Sequence, residues 1–218
     1  MLRGPLRSIS IAGWLITQIA AQAGTGPTTL VIDTANSQVL IQVGKTGMFG
    51  FAGHAHEVAA ADVRGQVKFD LADLQHASVS LEFAAAALRV TGKGEPPADV
   101  PEVQKIMLSD RVLDVSRFPT ILFSSRHVSV RSQAAGAADV VIEGDLTLHA
   151  TKRPMTIPAS LTLDAGSRIT ARGSFVLKQT DFGMVPVTAA GGSIRVRDEL
   201  EIQFVLRTRS SDETRIVR

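Results

Sequence analysis

His54-Ala55-His56 is the stretch of this chain whose residue types and spacing come nearest to chemistry. On an extended backbone, side chains two positions apart point the same way, and histidine is the commonest ligand of transition metals. A metal site would want a third ligand, for which Glu57, His127 and His149 are candidates. The bland reading is that the pair satisfies backbone groups of the Phe49-Gly50-Phe51-Ala52-Gly53 loop before it. His56-Glu57 opens a zinc-protease signature, but Ala60 stands at its second histidine. Gly44-Lys45-Thr46 has the form of the end of a phosphate-binding loop, but Val39 stands at its first glycine. Asp110 and Asp114 lie four apart near an expected helix end, where solvated carboxylates are a simpler reading than a catalytic pair. His149 precedes Ala150-Thr151-Lys152-Arg153-Pro154 and reads as an outward residue at a hairpin turn. There is no Gly-x-Ser-x-Gly elbow and no cysteine, so no nucleophile–base constellation is legible and an enzyme is not expected.

The elements that must position these residues are strands. From Val140 to Leu206 apolar and polar residues alternate: Val140, Ile142, Leu146 and Leu148 share one parity, Glu143, Asp145, Thr147 and His149 the other. The pattern returns through Ile157–Leu163, Ile169–Leu177 and Ile194–Leu206. Each such strand has one apolar and one wet face, and several in a row must curl around a shared interior. Weaker alternation marks earlier strands at 37–45, 63–69 and 79–83, with a connection or short helical turn over 70–75. Gly92-Lys93-Gly94-Glu95-Pro96-Pro97 is loop. After it, Asp99 can cap a helix from Pro101 to Ser109, with Val103, Ile106 and Met107 at helical spacing. Ile121, Phe123, Ser125 and His127 then open the next strand on one parity. The expected fold is an all-β, eight-stranded antiparallel barrel with one short helix inserted between its two halves.

The ends of the chain suggest export. Arg3 and Arg7, the apolar run Ile9–Ala20 and Ala21-Gln22-Ala23 have the form of a cleavable signal over residues 1–23. The apolar run is short for a bilayer span, which needs about 20 residues. Removing those two arginines from a chain of formal charge +2 leaves it neutral, so a nucleic-acid footprint is absent. The expected domain spans 24–207, followed by a polar tail over 208–218. The absence of cysteine excludes disulfide staples. Nine Phe, no Tyr and a single Trp inside the signal give an interior without aromatic hydroxyls, suited to a hydrocarbon guest.

Longer segments resemble a known family. Lys105-Ile106-Met107-Leu108-Ser109-Asp110 with Asp114-Val115-Ser116-Arg117-Phe118-Pro119-Thr120-Ile121-Leu122-Phe123 is similar to the helix-to-strand signature of the YceI-like, polyisoprenoid-binding family. Gly144-Asp145-Leu146-Thr147-Leu148-His149 with Lys152-Arg153-Pro154-Met155 resembles its hairpin motif, and Thr180-Asp181-Phe182-Gly183-Met184 with Asp198-Glu199-Leu200 its closing strands. The resemblance runs from about Thr29 to Arg207. It implies a lipocalin-like barrel, export to the periplasm and a long isoprenoid chain held inside. Gly53-His54-Ala55-His56 and Gln179 depart from the family pattern, and both bear on the ligand's polar head.

The function expected is therefore a periplasmic carrier or sequestering protein for an amphiphile. It needs no cofactor of its own, its guest being an isoprenoid lipid or quinone-like molecule, and a homodimer stays open. Phe69, Phe83, Phe123 and Leu146 are the expected cavity lining, together with Phe175, Phe204 and Met107, while Phe49 and Phe51 could gate the mouth. The alternative is a metal-binding envelope protein built on His54 and His56. A third option is a structural module that binds a protein partner. Parity names the face of a residue but does not separate a hollow barrel from one plugged by its own side chains.

Overall fold

The computed structural model describes residues 26–46, 56–164, 168–189 and 194–211. Its strands are β1 (Thr28–Ile32), β2 (Gln38–Thr46), β3 (His56–Ala60), β4 (Val63–Phe69), β5 (Ser78–Ala84) and β6 (Leu88–Val90). Helix α1 (Val100–Leu108) follows, then β7 (Thr120–Ala134), β8 (Ala137–Leu148), β9 (Thr151–Leu163), β10 (Ile169–Lys178), β11 (Thr188–Ala189) and β12 (Ile194–Ser210). Pairing runs β1-β4-β5-β7-β8-β9-β10-β12, and β12 returns to β1 through Leu30↔Ser210 and Ile32↔Thr208. Eight antiparallel strands thus close a barrel, as the alternation predicts.

The closure depends on β12 reaching Ser210, with Thr208 buried and its hydroxyl accepting the Ile169 amide at 2.8 Å. Residues 208–210 therefore belong to the barrel rather than to a tail. A two-strand register explains why composition misled there: Arg207 and Arg209 take the outward parity of a strand whose other face is buried.

Three of the chain segments bend sharply. β1 continues into β2 past a 3-10 turn at Thr34–Asn36, β4 is preceded by β3 across Ala61-Asp62, and β5 continues into β6 past a 3-10 turn at Ala85–Ala87. The continuations β2, β3 and β6 pair in that order on the free side of β12 and extend one end of the barrel. β6 ends the sheet there, and α1 lies against it. Gln104 of α1 completes β6's outer edge: its Oε1 accepts the Val90 amide at 2.8 Å and its Nε2 donates to the Leu88 carbonyl at 2.9 Å. A side-chain amide thus replaces a missing strand, satisfying backbone groups that burial would otherwise penalise.

The helix begins one residue before the predicted boundary. Asp99 makes no side-chain cap bond: its backbone is helical (φ −85°, ψ −24°) where a capping residue is normally extended, and its amide donates to the Pro96 carbonyl at 2.9 Å. Asp114 also departs from expectation. It is buried, adopts φ 43°, and accepts Ser116 Oγ at 2.9 Å and Arg117 Nη1 at 3.4 Å, so it organises the turn leading to β7. Asp110 is exposed. Neither carboxylate faces the other in a catalytic arrangement.

Two positions show how the interior is filled at mid-height. A Cβ on Gly144 would fall 2.7 Å from Phe123 Cζ, and one on Gly173 would fall 2.6 Å from Phe204 Cζ. Gly173 faces Phe204 directly across β10 and β12. The absent side chains let both rings lie flat on the inner wall, a use of glycine in sheets that stacks an aromatic over bare backbone.

Candidate functional site

Beneath α1 the barrel encloses a cavity of about 530 Å³. That volume is typical of a small-molecule site. Its wall is almost wholly apolar and comes from the inward parity of the strands: Val39 and Ile41 of β2, Val58 of β3, Leu146 and Leu148 of β8, Phe175 and Leu177 of β10, and Ile202 of β12. Val103, Ile106 and Met107 of α1 roof it. The helix buries no residue completely although these side chains point inward. An apolar helix face that is only half-buried is what a hollow beneath it produces.

Of the expected lining residues, Phe83, Met107, Leu146 and Phe175 stand on the cavity wall. Phe69, Phe123 and Phe204 do not. Phe123 and Phe204 cover Gly144 and Gly173 one inward position below the wall residues Leu146 and Phe175. Phe69 packs deeper, with Leu30, Leu74, Val128 and Val140 in a second, solid cluster. All these rings share the inward face, and depth along the barrel axis separates them. Phe49, Phe51 and His54 lie outside the described residues.

The cavity's polar end is at the roof. His56 opens β3 on the same face as Val58 and Ala60, so its ring points inward. Its Nδ1 lies 2.6 Å from Glu95 Oε1, and the two side chains are 14% and 2% exposed. Burial of either group alone would be costly, and a short charge-assisted bond compensates both. Glu57, the next residue, faces outward and holds the same loop from the other side. Its carboxylate accepts Gln42 Nε2 at 2.8 Å, Thr91 Oγ1 at 3.1 Å and Lys93 Nζ at 3.1 Å, while its carbonyl accepts the Thr91 amide at 2.9 Å. The Gln42 bond first, then Lys93 and Thr91, hold the Glu57 carboxyl below the usual glutamate range against the opposing effect of burial. The loop 91–99 is thereby fastened to β3 from inside and outside the barrel.

Sequence reading passed over the His56–Glu95 pair because its members are 39 residues apart. A usable signal existed: a histidine on the apolar parity of a strand needs a buried partner. The metal alternative finds no support in this geometry. Glu57 points away from His56, and His127 is exposed. His149 packs its ring 4.1 Å from that of Phe118. Among the described residues no group of three or more His, Cys, Asp or Glu could hold a metal ion. His127 left the expected parity because β7 carries a bulge between Ser125 and His127, which turns Val128 inward instead. His149 and Ala150 form the two-residue turn between β8 and β9, both at positive φ (52° and 56°), as a type I′ hairpin requires.

The motif Thr180-Asp181-Phe182-Gly183-Met184 is a fastening of β10 to β12. Asp198 accepts the Thr180 amide at 2.9 Å and its hydroxyl at 2.7 Å, bonds that lower the Asp198 carboxyl from its ordinary value. Gly183 turns at φ 73°, Phe182 is 1% exposed, and Met184 reaches the cavity wall. Gln179 is buried beside it, donating Nε2 to the Arg197 carbonyl at 2.7 Å, and also lines the cavity.

A closed eight-stranded antiparallel barrel with an apolar chamber defines the class of fold. The YceI-like domain model matches residues 30–208, and the chain belongs to that family. It is 30% identical over 128 residues to UPF0312 proteins of Pseudomonas savastanoi pv. phaseolicola and Pseudomonas syringae pv. syringae, a stretch that covers 56% of this chain and 60% of theirs. Among solved structures it is similar to BcnA of Burkholderia cenocepacia (TM-score 0.64, 19% identity, 82% of this chain and 99% of that one). It is also similar to a polyisoprenoid-binding domain from Saccharophagus degradans (TM-score 0.58, 12% identity, 83% and 98%). At these identities the two structures establish the shared fold.

Proposed function

We propose that this protein binds the hydrocarbon tail of an amphiphile, of polyisoprenoid type, in the chamber beneath α1, and carries or sequesters it in the periplasm. The observation that supports this most strongly is the cavity itself, about 530 Å³ bounded by aliphatic and phenylalanine side chains. Each methylene moved from water into such a chamber contributes about 0.8 kcal/mol, so one five-carbon isoprene unit outweighs a typical net hydrogen bond of about 1 kcal/mol. The family and the polyisoprenoid-binding neighbour support the same ligand class, and a quinone-like molecule with a prenyl tail fits it too. The signal-like pattern of residues 1–23 supports export. Among the described residues no helix is long and apolar enough to cross a membrane.

Native mass spectrometry of the protein purified from a bacterial envelope, with organic extraction of the same sample, tests the reading. Discrete adducts that extraction releases as prenyl lipids are expected. An empty protein that also fails to take up added prenols would overturn it.

A further inference from the structure

The chamber has a charge pattern that its apolar wall does not require. Glu95, Asp99 and Glu102 all border it at the roof, and among the described residues no lysine or arginine lines it. Lys93, the cation nearest in sequence, is turned to the outer face, where Glu57 holds it. The inner polar side chains at the chamber are thus the His56–Glu95 pair and Gln179, while Asp99 and Glu102 are exposed at its rim.

From this we infer that the roof selects the ligand's head group: it accepts a neutral, hydroxyl-bearing head and rejects anionic ones such as a carboxylate or a phosphate. The inference rests on the binding reading above and specifies it further. An anionic head would bring a further negative charge beside the buried Glu95 side chain and beneath the exposed rim carboxylates Asp99 and Glu102, with no lysine or arginine among the described lining residues to offset it, which is unfavourable. A hydroxyl avoids that cost. With Nδ1 of His56 held by Glu95, Nε2 is the ring atom left for the head group, and a hydroxyl, which is both donor and acceptor, can complement it. Glu95 acts here as a positioning residue, fixing the ring plane as carboxylates do for ligating histidines. The tail supplies affinity, and the roof supplies discrimination.

Four probes with one C20 prenyl tail test this: geranylgeraniol, its methyl ether, geranylgeranyl phosphate and geranylgeranylamine, each titrated by displacement of a fluorescent lipid. The alcohol should bind at least tenfold more tightly than the phosphate, and several-fold more tightly than the ether, which has lost the donated proton. In His56→Leu the alcohol's advantage over the ether should vanish, and Glu95→Gln should reduce that advantage. A purely structural role for the pair would weaken all four probes alike and overturn the inference. Equal binding of the four by the unaltered protein, or preference for the phosphate or the amine, overturns it too and leaves the tail-binding reading standing. If no probe binds, the tail-binding reading fails and this inference falls with it.

Discussion

The two ends of this barrel are made from the same strands and the same alternation, yet one is hollow and the other solid. At the far end Leu30, Phe69, Leu74, Val128, Ala138, Val140, Ala159 and Ile169 are all buried against each other. At the roof end the inward residues Ile41, Val43, Phe83, Ile121 and Phe175 pack only partly, as do the helix residues Val103 and Met107. Phe123 and Phe204, lying over Gly144 and Gly173, separate the two regions. The difference lies in what closes each end. The solid end is sealed by strand pairing of β1 with β4 and β12, where inward side chains meet across the barrel. The roof end is bridged by a loop and a helix that span the opening without filling it. A cavity therefore arises from the covering element, and the strands beneath need no special composition.

The solid half should answer a lost side chain with stability and not with binding. Phe69→Ala should destabilise the protein by about 3–5 kcal/mol, since a buried ring leaves an unfilled void, while ligand affinity per folded molecule stays the same. Urea unfolding and a ligand titration on one sample would check both. Gly173→Val strikes the boundary, because its Cβ would meet the Pro158 carbonyl oxygen at 2.3 Å and Phe204 at 2.6 Å. A loss of about 1–3 kcal/mol is expected from such overpacking, again by urea unfolding.

The hollow half should respond the opposite way. Ala60→Phe places a ring in the chamber from a wall position. Its unfolding free energy in urea titration should change by less than about 1 kcal/mol, because the group enters existing space, but prenol affinity should fall at least tenfold. A large stability loss without loss of binding would mean that the chamber is not where the tail sits. The smallest effect concerns the outer clasp. Because the folded state holds the Glu57 carboxyl below its ordinary value, its contribution is complete above the unfolded value of about 4.3 and is lost as pH falls through the lower folded one. Glu57→Gln should remove that part of the acid dependence, read as a flatter stability–pH curve below pH ~4.3 and faster amide exchange over residues 91–95.

The sequence carried eight of the strands through a period of two, with turn residues such as Gly136 and His149-Ala150 punctuating it, but not β1, β3 and β6, which are too short for a sustained alternation. It carried the helix through Val103, Ile106 and Met107, missing one residue at its start, where the Asp99 backbone is already helical. Depth was not legible. Phe83 and Phe175 share the inward parity of Phe69, Phe123 and Phe204, and only three-dimensional position separates wall from filling. Local irregularity was invisible as well: the bulge that expels His127 and the left-handed backbone of Asp114 leave no trace in a periodic pattern. The His56–Glu95 pair was half legible, in that a histidine beside Val58 and Ala60 announces a partner without saying where along the chain it comes from.

The proposed tail site is the space above Phe123 and Phe204 and below α1. Crystals grown with a prenol whose tail ends in bromine test it most directly, because anomalous scattering locates that atom unambiguously. The account predicts one bromine peak within contact distance of Leu146, Phe175 or Ile202. A peak on the outer surface of the barrel, or a bound head group with the tail left in solvent, would contradict it.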